Sequence, residues 1–245
     1  MVCRDTPIIF ASSVWEIPFS VLAFFILIFI ACALLTGKGL DEISNIWSVA
    51  ASAVNIVTIL MLVLLTRKTG GYSKLISYEK GKAKPKQVIG MILLITLVGM
   101  GGMYLAGFLC YGVIPYAAPM MIAPIPLWLA IINMLLLPVS TAFAEEGLYL
   151  GCGVNQIRNK YAAILVPAFF FALQHSFIPM LFDARYIAYR FLSFLPLTII
   201  LCCHYYKKRN PLPIMVGHAV IDAATAAQIL ATSAVPGLYE QMCGM

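Results

Sequence analysis

Long runs of apolar residues alternate with short polar stretches along almost the whole chain. The runs are continuous, without the strict alternation of apolar and polar positions that is typical of strands in membrane barrels. A helix needs about 20 apolar residues to cross a bilayer core, and seven runs meet or approach that length, at residues 17–36, 43–66, 87–111, 122–150, 161–182, 186–206 and 212–235. The pattern predicts an all-α, polytopic membrane bundle of about seven transmembrane helices (six to eight), forming a single domain over residues 1–245.

Composition and charge agree with this prediction and add an orientation. Hydrophobic residues make up 62% of the chain and charged residues 11%, which is too apolar for a soluble domain of 245 residues. All but three of the 16 basic residues, namely Lys38, Arg185 and Arg190, fall in stretches that the seven spans place on one face. By the positive-inside rule that face is cytoplasmic and so is the N-terminus. The net charge of +6 is thus explained by topology, and no nucleic-acid partner is expected.

The multi-pass topology implies the plasma membrane if the source is bacterial, with the first span retained rather than cleaved as a signal peptide. The hydrophilic stretch 67–86 either lies on anionic headgroups or serves only to set the topology, and we expect Arg190 to extend its side chain toward the nearby interface. Asn55 and Thr58 are candidates for hydrogen bonds between helices. Glycines of the third run permit close helix approach, at Gly99, Gly101, Gly102 and Gly107.

Two adjacent carboxylates, Glu145 and Glu146, lie inside an apolar run. A charged side chain in hydrocarbon costs roughly 3 kcal/mol or more unless it faces a polar cavity or is neutralised. Candidate partners occur in two later runs, as His175 and as the pair His218 and Asp222. Each polar residue could instead make a separate hydrogen bond between helices. Together, however, carboxylates and imidazoles are the usual components of a water-activating hydrolytic site or a proton pathway.

Helix geometry limits how these residues can meet. Successive residues are about 100° apart, so Glu145 and Glu146 cannot both point squarely into one cavity. His218 and Asp222 are four residues apart and share a face, where they could orient each other or both bind a metal ion. At about 1.5 Å per residue, Glu145, His175, His218 and Asp222 all lie in the inner half or the middle of the membrane. We therefore expect these four side chains to line one cavity.

In order, the segments EEGLYLG at 145–151, FALQH at 171–175 and HAVID at 218–222 resemble the EExxxR, FxxxH and HxxxN or HxxxD motifs of the CPBP family. This is the CAAX protease and bacteriocin-processing (Abi) family of intramembrane proteases, and the resemblance covers residues 122–235. It implies that Glu145 and His175 activate a water, while His218 and Asp222 bind a metal or stabilise the oxyanion. Family members are classed as metalloproteases, which implies zinc or another divalent cation, with Glu145, His175, His218 and Asp222 as candidate ligands.

The leading hypothesis is therefore an intramembrane endopeptidase whose partners are the lipid bilayer and a peptide or protein substrate near the cytoplasmic face. One position departs from the family pattern, because Leu150 stands where the motif has arginine. Glu146 is then protonated, is paired with a cation from elsewhere such as Arg209, or marks a chain that has lost activity. The alternatives are a catalytically silent membrane protein that binds peptides or acts as a scaffold, and a proton-coupled transporter. The latter is disfavoured because no inverted repeat is evident.

Overall fold

The computed structural model describes residues 13–114 and 118–243, and this part of the chain is helical without any strand. The α-helices in chain order are α1 (Ser13–Thr36), α2 (Leu40–Ser44), α3 (Trp47–Thr66), α4 (Gly71–Leu75), α5 (Pro85–Tyr111), α6 (Leu127–Glu145), α7 (Lys160–His175), α8 (Ala184–Lys208), α9 (Leu212–Ala234) and α10 (Leu238–Cys243). A 3₁₀ turn spans Pro119–Ile122, and the wider π segment Glu146–Val154 continues directly from α6. The prediction of an all-α polytopic bundle is confirmed.

Six helices of the described chain are long and apolar enough to cross a membrane, namely α1, α3, α5, α6 with its π extension, α8 and α9. The run 161–182, predicted as a full span, forms only the 16-residue α7, which is about 24 Å long at 1.5 Å per residue. The helix stops because Pro179 disfavours helical geometry and Asp183 starts α8 by accepting a hydrogen bond from Tyr186 N at 2.6 Å. The boundary of this predicted span was therefore wrong.

The long helices pack side by side in one bundle. α6 contacts α3 and α9, α5 contacts α8 and α9, and α7 contacts α8. Of the glycines expected to allow close approach, Gly102 does so, because a Cβ there would collide with the backbone oxygen of Ser193 on α8, whereas one at Gly101 would meet open space. The outer face of α5 exposes large apolar side chains, including Leu97 at 71% and Leu109 at 64%, as expected for a surface in contact with lipid.

One face of the bundle carries the basic loops, at residues 67–86, 155–160 and 207–211. The first of these is anchored in the protein, since Leu75 is fully buried and its carbonyl accepts from Asn155 Nδ2 at 2.7 Å. Tyr205 OH donates to the Ile76 carbonyl at 2.7 Å. The loop is thus attached to the end of the π segment as well as being available to headgroups.

The opposite face is closed by the connector that leads into α6. Ala118 and Ile122 are buried, and Thr232 Oγ1 donates to the Ile122 carbonyl at 2.8 Å. Within the bundle, Asn55 Nδ2 donates to Thr141 Oγ1 at 3.0 Å and so joins α3 to α6, as predicted. Thr58 instead donates to Val54 O of its own helix at 2.9 Å, so the prediction for Thr58 was wrong.

Candidate active site

Glu145 and Glu146 lie at the junction where α6 changes into the π segment. Their exposed fractions are 4% and 0%. A π segment replaces the usual i→i+4 hydrogen bonds by i→i+5 bonds, and such widened turns occur frequently at functional sites. Both glutamates contact His218 of α9, from opposite sides of the imidazole ring. Glu146 Oε1 lies 2.8 Å from Nδ1, whereas Glu145 Oε2 lies 3.6 Å from Nε2.

Asp222 lies one turn beyond His218 on the same face of α9, as its spacing predicted. Its Oδ2 atom is 3.6 Å from His218 Nε2, so three carboxyl groups surround one imidazole. Three carboxylates cannot all be ionised in a membrane interior without compensation. A protonated His218 or a bound cation would supply that compensation.

His175 terminates α7 and completes the cluster from a third helix. Its Nδ1 lies 2.8 Å from the Phe171 carbonyl. Because a carbonyl can only accept, Nδ1 carries the proton, and Nε2 of the neutral ring has a lone pair. The imidazole stacks on Phe194 of α8, with ring centroids 3.8 Å apart and planes at 20°. Ring stacking and the hydrogen bond together fix the orientation of His175.

Glu145, His175 and His218 each offer one potential ligand atom, and these atoms lie within 4.8 Å of one another. Two imidazoles and one carboxylate, with a fourth position left for water, form a known ligand set of catalytic zinc. Both imidazoles have their other nitrogen held, by Phe171 O and by Glu146, as is usual for zinc-bound histidines. The residues therefore fit a divalent metal. Asp222, also a candidate ligand, lies outside this group of three.

Two residues that sequence reasoning missed hold Glu145 in place. Gln174 Nε2 donates to Glu145 Oε1 at 2.5 Å, and Tyr149 OH donates to Gln174 Oε1 at 2.6 Å. The other carboxyl oxygen of Glu145, Oε2, is buried without a hydrogen-bond partner. One oxygen is thus occupied by the protein, and the other is available to a water or a metal. The detectable signal was Gln174 itself, a polar residue within the apolar run FFFALQ.

Leu150, which replaces the motif arginine, is fully buried and packs among apolar side chains that include Met91 and Val154. Arg209, considered as a substitute, donates to Asn155 Oδ1 and lies over the ring of Tyr206 at 5.0 Å. His218 of α9 contacts Glu146 instead.

The sequence predicted that Arg190 extends to the interface, and this prediction was wrong. The side chain is buried, with an exposed fraction of only 3%. Its Nε donates to the His175 carbonyl at 3.1 Å, and Nη2 donates to the Ile178 carbonyl at 2.8 Å. The His175 carbonyl ends α7, where helix geometry leaves backbone oxygens short of partners, and the Ile178 carbonyl lies in the segment that follows. The prediction failed because hydropathy gives depth but does not show that an unpaired helix end lies beside the side chain.

A cavity of about 640 Å³ connects these groups, and Glu145, His175, His218 and Asp222 all contribute to its lining. Glu146 does not, which agrees with the expected divergence of the two glutamates. Residues from the N-terminal half of α3, the C-terminal part of α5 and the last turn of α7 contribute to the lining. Ala118, Ile122 and Ile178, on the face opposite to the basic loops, contribute as well. The cavity therefore extends away from the basic loops.

Residues 126–224 match the family model described as Type II CAAX prenyl endopeptidase Rce1-like, which confirms the resemblance to the CPBP family. The matched region lies within the expected core of 122–235 and contains all five candidate site residues. No curated protein and no solved structure matches the chain.

Proposed function

We propose that this chain, which carries a CPBP-family region at residues 126–224, is an intramembrane endopeptidase with its catalytic core at about residues 122–235. The observation that carries the proposal is the convergence of Glu145, His175 and His218 in one buried cavity. A structural role alone would not require three titratable groups from three helices to meet with one carboxylate oxygen left unpartnered.

In the proposed reaction, Glu145 acts as the general base. Its Oε2 removes a proton from a water that also contacts His175 Nε2, and the water oxygen adds to the carbonyl carbon of the peptide. The resulting oxyanion is stabilised by His218, which donates through Nε2 when its ring is protonated. When the C–N bond breaks, the proton held by Glu145 moves to the leaving amine, and the products are an amine and a carboxylic acid that then loses its proton to solvent.

The protein groups around these residues have positioning roles. Gln174 and Tyr149 hold Oε1 of Glu145, so that Oε2 is directed at the water. Glu146 keeps the proton of His218 on Nδ1. If a divalent metal is bound, Glu145, His175 and His218 would hold it, with Asp222 beside them, and it would lower the pKa of its bound water and polarise the carbonyl. Charge compensation by His218 and by a metal are alternatives, because a metal-bound imidazole is neutral.

The proposed substrate is a membrane-associated peptide, and the family name suggests one that ends in a prenylated cysteine motif. The sequence placed this substrate near the cytoplasmic face and also placed the basic loops there. The cavity extends away from those loops, which favours entry of the substrate from the other side. We retain the orientation inferred from charge, with a cytoplasmic N-terminus, and propose that the substrate enters from the opposite face.

A catalytically silent peptide-binding protein is the second candidate, because Leu150 removes the motif arginine. Against it, His218 contacts Glu146 at 2.8 Å, so the second glutamate has a partner without that arginine.

The deciding experiment is cleavage of a fluorogenic peptide ending in a farnesylated cysteine and three further residues, by purified protein. Glu145→Gln should reduce cleavage at least about 100-fold, the lower range for a general base, since an amide cannot accept the proton. Glu42→Gln, the same change on an exposed side chain, should cleave like wild type. Equal cleavage by wild type and Glu145→Gln would remove the catalytic assignment. Loss of cleavage with 1,10-phenanthroline, restored by zinc, would assign a metal.

A further inference from the structure

Arg190 is a buried cation in the wall of the cavity, and no acidic partner is found for it in the described part of the chain. Its guanidinium lies over Phe194 at 4.8 Å, on the ring that also stacks against His175 at 3.8 Å. Within residues 13–114 and 118–243, no carboxylate forms an ion pair with Arg190, and its two hydrogen bonds go to the carbonyls of His175 and Ile178.

These bonds satisfy only part of what a guanidinium requires. Arg has five N–H donors in a planar fork, and two of them are used. The His175 carbonyl is at the C-terminal end of α7, where the helix dipole supplies about half a negative charge, and the Ile178 carbonyl lies in the segment that follows. A full charge in a membrane interior remains expensive without a counter-ion. The side chain contributes to the wall of a cavity of about 640 Å³, which has room for a ligand to provide that counter-ion.

We propose that Arg190 is the substrate's anion-binding residue and that it holds the C-terminal carboxylate of the peptide. This inference rests on the proposed function, since it places a peptide in the cavity. A carboxylate matches the guanidinium fork with two parallel hydrogen bonds. It also carries a single charge, as one arginine can balance, whereas a phosphate monoester carries up to two.

The position of Arg190 relative to the reacting groups sets the register of the peptide. Arg190 and His175 contact the same phenyl ring, so the guanidinium and the imidazole are separated by about 9 Å or less, which an extended peptide covers in about two to three residues. Cleavage should therefore occur close to the C-terminus. An acidic side chain at the last position of the peptide is the other source of a carboxylate. A peptide amide that ends in aspartate distinguishes the two sources.

A purely structural role is the competing explanation, because Arg190 also holds the end of α7 and with it His175. The two roles differ in one measurable respect. A structural arginine affects all substrates equally, whereas a carboxylate-binding arginine distinguishes a peptide acid from its amide.

The test measures binding of fluorescent peptides to the full chain carrying Glu145→Gln, so that no hydrolysis is needed. The peptide ending in a farnesylated cysteine and three residues is compared as the C-terminal acid, as the C-terminal amide, and as an amide with aspartate in the last position. With Arg190 present, the plain amide should bind at least about 30-fold more weakly than the acid, the lower range for losing one partner of a buried charge pair. Arg190→Gln should reduce that ratio to below about threefold.

Equal binding of acid and amide with Arg190 present would overturn the proposal, and this comparison needs no arginine variant to fold. Retention of the full ratio in Arg190→Gln, or no binding of any peptide, would overturn it as well. If the aspartate amide binds tightly and the peptide acid does not, the assignment to the C-terminal carboxylate is overturned. If the acid binds preferentially through Arg190 but wild type cleaves neither peptide, the endopeptidase proposal fails while the anion site stands.

Discussion

The contact between Glu146 and His218 gives the sharpest prediction. Glu146 is fully buried, and its Oε1 lies 2.8 Å from His218 Nδ1. Glu146→Leu removes this acceptor and leaves the Nδ1 proton in an apolar environment. An orphaned buried donor costs about 1–3 kcal/mol. We therefore expect Glu146→Leu to lower the free energy of unfolding by that amount, or by about 2–4 °C in Tm per kcal/mol for a chain of this size.

The same change should lower activity through His218. Loss of a group that orients a site imidazole typically costs 10–100-fold, and we expect a decrease of this size in kcat/KM. The matched variant is Glu146→Gln, which has nearly the same shape and still offers a carbonyl oxygen to Nδ1. It should keep most of the stability and more of the activity than Glu146→Leu.

Thermal unfolding in detergent and the fluorogenic cleavage assay measure the two effects. A Glu146→Leu protein with the stability and activity of wild type would refute the argument that this glutamate holds His218. Leu150→Arg provides a further comparison, because Leu150 is packed among apolar side chains. If arginine were missing as the partner of Glu146, this change would raise activity. We expect it to destabilise the protein instead.

Three further predictions test other parts of the structure. Gln174→Leu should reduce kcat/KM about tenfold or more by releasing Glu145 Oε1, with little change in peptide binding to the inactive protein; unchanged kcat/KM would contradict the positioning role. Gly102→Ala should lower the free energy of unfolding by about 1–3 kcal/mol through overpacking, whereas Gly101→Ala should not, because its Cβ meets open space. Reporter fusions should place loop 67–86 in the cytoplasm and the C-terminus outside, and a cytoplasmic C-terminus would mean that α7 does not cross the membrane.

The helices could be predicted because the lengths of the apolar runs are set directly by bilayer thickness. The four cavity residues could also be chosen, since ionisable groups are rare in such runs and their motif spacing fixed the helix faces. The contacts of Arg190 and Gln174 could not be predicted. They depend on which helix ends and carboxylate oxygens are left without partners after packing, and a single sequence does not contain that information.

The partner of Glu146 was missed for a related reason. The sequence offered His218 as a candidate partner of the glutamate pair in general, but for Glu146 it named only a cation from elsewhere such as Arg209. The π segment that begins at Glu146 changes the direction of its side chain relative to a regular α-helix. Two adjacent glutamates then reach opposite nitrogens of one ring, while only Glu145 lines the cavity.

The one-sided cavity has a consequence for which molecules can be substrates. Its lining includes the ends of α3, α5 and α7 that lie away from the basic loops, so under the proposed function a peptide anchored by a lipid chain would sit in the leaflet on that side. A peptide of identical sequence anchored in the other leaflet would have to carry its polar backbone across the hydrocarbon to reach Glu145, which the cost of unpaired backbone groups in lipid prevents. Selection among membrane peptides would then begin with the leaflet in which each one is anchored, before any side chain is recognised.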